Sequence, residues 1–88
     1  MNEPIILTTA MVAGETPGVI VGCLLEMAGV VAQGSTEDEV FSDLVEATES
    51  MLKYRLPGKT MADVQIVRGE FYTDFRDMVR ATRLHRKY

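Results

Sequence analysis

The chain has 88 residues, 47% hydrophobic and 25% charged, with one cysteine and one histidine. That is the composition of one small globular domain, and it excludes a disordered chain, an internal disulfide and a dedicated Cys/His zinc site. The net charge of −4 hides an asymmetry: residues 1–52 hold nine acids and no Lys or Arg, whereas residues 53–88 hold all nine bases against four acids.

Ile5 to Val12 is apolar and rich in β-branched residues, and Gly14 closes it, so it reads as a strand. The turn cluster Gly14-Glu-Thr-Pro-Gly18 separates it from a second strand, Val19 to Leu25, and a third short strand spans Val30 to Gln33. Tight connections make these three an antiparallel meander. Thr36 and Glu39 have capping-box spacing, with the hydroxyl accepting from a free N–H and the carboxylate reaching back to the cap. Behind them Val40, Leu44, Ala47, Thr48, Met51 and Leu52 recur at the helical period, predicting a helix over 37–53 that Pro57-Gly58 ends after Leu56 at the latest. A fourth strand is expected over 62–68, parallel to the first, and a second helix over 70–86. The order β-β-β-α-β-α is an α+β domain with a helix laid across the meander and a fourth strand added. The whole of 1–88 is one domain, with its core in 5–68.

The chemistry-bearing residues argue against catalysis. Cys23 sits among apolar neighbours and reads as a small hydrophobe, and His85 lies in a basic tail without an acid partner. The first strand offers no carboxylate for a metal-dependent site, and no glycine run fits a phosphate loop. No cofactor and no metal are expected. The longest apolar stretch, 19–32, is broken by Glu26 and is too short for a bilayer, and no basic leader precedes it. A cytoplasmic protein without membrane contact is the expectation. At helical spacing Arg76, Arg80, Arg83 and Lys87 form one basic stripe beside an apolar face of Phe71, Phe75, Met78, Val79 and Thr82. Such a stripe suits weak, sequence-independent contact with phosphates, or salt bridges to the acidic first helix within a molecule or across a dimer. An open sheet edge together with Phe71, Tyr72 and Phe75 leads us to expect a homodimer or larger assembly.

The stretch from Glu26 to Ala47 resembles the HicB antitoxin family. That family has a Glu-x-Pro-Gly turn, then Gly-x-Thr, then Thr-x-x-Glu-Ala and Asn-Leu-x-Glu-Ala along the helix. Glu26, Gly29, Gln33, Gly34, Thr36, Glu39, Leu44, Glu46 and Ala47 match it in unbroken register, and the likeness extends over about residues 5–67. Ala28, Val40 and Asp43 stand where the family usually has proline, alanine and asparagine. Such antitoxins usually carry a DNA-binding domain after the fourth strand, where this chain has only its basic helix. The resemblance implies a partial RNase H-like fold without the full carboxylate set, and a role in masking a small basic HicA-type mRNA interferase. Gly29, Gly34, Thr36, Glu39 and Ala47 would be structural, while Glu26, Asp43, Glu46 and Glu49 would face cations on the toxin. A stand-alone oligomeric adaptor whose basic helix touches nucleic acid is the alternative, and a residual RNase H-like nuclease the third.

Overall fold

The computed structural model describes residues 3–88. Three strands come first, β1 (Ile5–Ala13), β2 (Ile20–Leu24) and β3 (Val31–Gly34), followed by helix α1 (Glu37–Arg55). A single 3-10 turn (Met61–Asp63) then leads to β4 (Val64–Val67), β5 (Phe71–Tyr72) and helix α2 (Phe75–His85). The result is an α+β fold with one mixed sheet in the order β3-β2-β1-β4, to which β5 adds by pairing with β1.

The meander is antiparallel, with Ala10 opposite Cys23 and Cys23 opposite Val31. β4 runs parallel to β1, Ile5 opposite Val64 and Thr8 opposite Val67, as the sequence leads one to expect. Side chains alternate across β1 and sort into two layers. Leu7 and Met11 join Leu24, Met27, Val30 and the α1 residues Val40, Leu44 and Leu52 in the main core. Ala10 and Val12 point to the other face, where Leu25 and Met78 of α2 complete a smaller cluster. Both faces are therefore covered, which is why β1 reads as a near-continuous apolar run.

Several expected boundaries shift by one or two residues. β1 extends to Ala13, β2 is shorter at both ends, β3 begins one residue later at Val31, and α1 continues to Arg55. Residues 61–63 form the 3-10 turn rather than the start of β4. Thr60 and Asp63 make a capping box there: the Thr60 N–H donates to Asp63 Oδ2 at 2.9 Å, and Thr60 Oγ1 accepts from the Ala62 N–H.

The larger correction concerns residues 70–74, which are not helical. Phe71 and Tyr72 pair parallel with Met11 and Val12, on the same edge of β1 that β4 occupies. From Thr8 to Met11 is three steps on β1, whereas from Val67 to Phe71 is four on its neighbour, so β4 and β5 are one edge strand interrupted by a one-residue bulge. Gly69 makes the bulge possible. Its N–H donates to Thr9 Oγ1 at 3.2 Å, and a Cβ there would collide with the Thr9 carbonyl oxygen. Past the bulge Tyr72 turns toward the α2 side of the sheet, into the smaller cluster. The helix then starts at its own cap, Asp74, whose Oδ1 accepts from the Arg76 N–H at 2.8 Å.

Candidate functional site

The cap of α1 fixes which of its faces meets solvent. Thr36 Oγ1 accepts from the Glu39 N–H at 3.1 Å, as the spacing suggests. The Glu39 carboxylate reaches one residue further back than a capping box would take it. Its Oε2 accepts from the Ser35 N–H and hydroxyl, both at 3.0 Å. These two hydrogen bonds favour the charged form and hold the Glu39 carboxyl below its ordinary value. Gly29 ends the preceding turn at φ +84°, a left-handed conformation that glycine adopts without strain. Gly34 closes β3 where a Cβ would stand only 3.1 Å from Glu39, and Ala47 packs half-buried against the main core.

With Val40, Leu44, Thr48 and Leu52 buried against the sheet, Asp43, Glu46 and Glu49 fall on the outward side and are exposed. None of the three makes an ion pair with a described residue. Glu46 lies between two shallow hollows, one floored by Ala47 and Ser50, the other by Phe41 and Val45. Arg68 borders the second hollow, stacking 4.3 Å from the centre of the Phe41 ring and pairing with Asp38 at 2.9 Å. The arginine at the bulge thus ties the edge strand to the first turn of α1, and Asp38 has an ion-pair partner where Asp43, Glu46 and Glu49 have none among the described residues.

Glu26 does not belong to this face. It is 9% exposed, its Oε1 accepts from the Thr8 N–H at 2.6 Å and its Oε2 from the Thr8 hydroxyl at 2.8 Å. Its main-chain carbonyl accepts from the N–H groups of Lys87 and Tyr88. The residue expected to meet a partner instead joins β1, the end of β2 and the C-terminal tail. Charge in the sequence gave no sign of this, because the acceptor role depends on Thr8 lying opposite.

The basic stripe is shortened by the same tail. α2 ends at His85, and Lys87 leaves the helix to donate its N–H to Glu26. Arg76, Arg80 and Arg83 remain on the outward side of α2, all exposed. Arg76 and Arg80 approach Asp74 and Asp77 loosely, at 3.7 and 4.0 Å, while Arg83 pairs with no described acid. The face that docks α2 is formed by Met78 and Ala81, with Thr82 half-buried beside them. Phe71 and Phe75, expected on that face, are exposed. Cys23 and Tyr72 lie on the same layer, and burial raises the pKa of both, with nearby Glu70 adding to the effect on Tyr72.

Among the described residues no three His, Cys, Asp or Glu side chains converge to form a metal-ligand group. No helix of the described residues is long and apolar enough to cross a membrane. Comparison with family models, with curated proteins and with solved structures finds no match to this chain.

Proposed function

We propose that the chain is a non-catalytic interaction module of the HicB antitoxin type, which binds a small basic HicA-type mRNA interferase and masks its catalytic surface. The observation that carries this reading is the outward side of α1. Asp43, Glu46 and Glu49 lie exposed on a helix fixed by its cap and its packed face, and none makes an ion pair with a described residue. An acidic, pre-ordered helix face steers a basic partner and fixes its orientation. The register of Glu26, Gly29, Gly34, Thr36, Glu39 and Ala47 with the HicB pattern supports a HicA-type protein as that partner.

The test is reconstitution with a small basic HicA-type mRNA interferase. A stoichiometric complex that suppresses RNA cleavage is expected, and the combined substitutions Asp43→Lys, Glu46→Lys and Glu49→Lys should weaken it at least tenfold while the circular dichroism stays unchanged. A full-strength complex with the triple variant would move the interface elsewhere. The absence of any complex would favour a stand-alone oligomeric adaptor.

A further inference from the structure

The sheet separates two helices whose outward sides carry opposite charge. On α2, Arg76, Arg80 and Arg83 stand at i, i+4 and i+7, flanked by Phe75 at 57% and Leu84 at 77% exposure. On α1, Asp43, Glu46 and Glu49 stand exposed at i, i+3 and i+6, with Tyr54 further along the helix at 71% exposure. Each stripe spans two helical turns, about 10 Å at 1.5 Å per residue. Within one molecule they cannot meet, because α1 packs in the main core on one face of the sheet and α2 in the smaller cluster on the other.

We propose that α2 of one copy docks across α1 of a second copy, setting the arginine stripe on the acidic stripe and burying Phe75 or Leu84 beside Tyr54. Charge complementarity selects this occupant over the alternatives. A symmetric α2–α2 contact would bring the two arginine stripes together, and the net charge of −4 disfavours a nucleic-acid backbone held by three arginines. The donor and acceptor faces lie on opposite sides of the sheet, so the contact is heterologous. It does not close in a pair, and repeats into a ring or an open string of copies. One short helix gives an interface well below the ~800 Å² per partner of a stable complex, so the association is weak and screened by salt. The contact occupies the α1 face assigned above to a basic partner, which would compete with it. It requires no such partner, so the two readings fail separately.

Sedimentation velocity of the purified chain alone tests it. At low salt the mean mass should rise with concentration, and at ~0.5 M salt it should return to the 9.8 kDa monomer. Arg80→Glu and Glu46→Arg, both at exposed positions, should each weaken association several-fold with unchanged circular dichroism. An equimolar mixture of the two variants should associate again, because each substituted helix then meets an opposite charge on the other variant. A monomer at every concentration in low salt overturns the proposal. So does association indifferent to either substitution, which would place the contact at the sheet edges, or a mixture that stays as dissociated as its components.

Discussion

The Glu26 carboxylate stands where a longer β2 would offer Thr8 a backbone acceptor, and Thr8 gives it both its N–H and its hydroxyl hydrogen. The Leu25 N–H already donates to the Thr8 carbonyl at 2.9 Å, so the side chain completes a ladder position that the main chain leaves open. Removing it strands a part-buried N–H, which costs about 1–3 kcal/mol. Glu26→Ala should therefore lower the urea midpoint markedly, whereas Glu26→Gln, which keeps one acceptor for the N–H and one donor for the hydroxyl, should cost about half as much. Equal loss in the two variants would mean that the charge rather than the acceptor matters. This residue also marks a limit of sequence reading. A lone acid inside an apolar run shows that something must satisfy it, yet Thr8 is 18 positions away and only the strand register brings the two together. Asp43, Glu46 and Glu49 were legible because a helical period alone decides their side.

α1 shows the same contrast between local and non-local signals. Its start, cap and packed face follow from short-range spacing, and the structure agrees with each of them except for the target of the Glu39 carboxylate. That exception has a pH consequence. Two hydrogen bonds from Ser35 hold the Glu39 carboxyl down, so the folded state binds its proton less readily than the unfolded chain does. The contribution is complete above the ordinary value of 4.5 and is lost as the pH falls through the lower folded value. In urea unfolding followed from pH 7 downward, Glu39→Gln should remove part of the acid-side decline in stability. A variant whose curve runs parallel to the wild type throughout would show that Glu39 contributes nothing to that slope. The start of α2, by contrast, was not legible. Glu70, Asp74 and Asp77 all suit a first turn electrostatically, and a two-residue strand carries no periodicity. Gly69 lies just beyond the expected strand, yet it lets that strand continue past a bulge.

Taken as a whole, the molecule is a sheet with one thick cover and one thin one. The main core draws on β1, β2 and α1, while among the described residues the α2 side has only Ala10, Val12, Leu25 and Met78 buried. Met78, at 4% exposure, is the only buried residue that α2 contributes. The Arg86 guanidinium donates to the Leu24 carbonyl at 3.4 Å, the tail N–H groups donate to Glu26, and Tyr88 packs half-buried against the main core, so the C-terminal end of α2 is held through the tail rather than by the helix's own apolar face. Regions with little buried apolar surface open at lower free energy than the rest of a domain. Native-state hydrogen exchange should accordingly show α2 amides opening before those of α1, in a step smaller than global unfolding. Met78→Ala removes the most deeply buried apolar side chain of α2 and, by the usual cost of such truncations at a thin site, should lower the α2 opening energy by about 2 kcal/mol. α1 amides should keep most of their protection, because Leu44 and Leu52 pack on the other side of the sheet. If α1 and α2 amides respond equally, the two layers unfold as one unit and the thin cover is as well secured as the thick one. An α2 that opens locally also takes its arginines off the sheet, so the same variant should weaken the salt-sensitive self-contact without touching a charged residue.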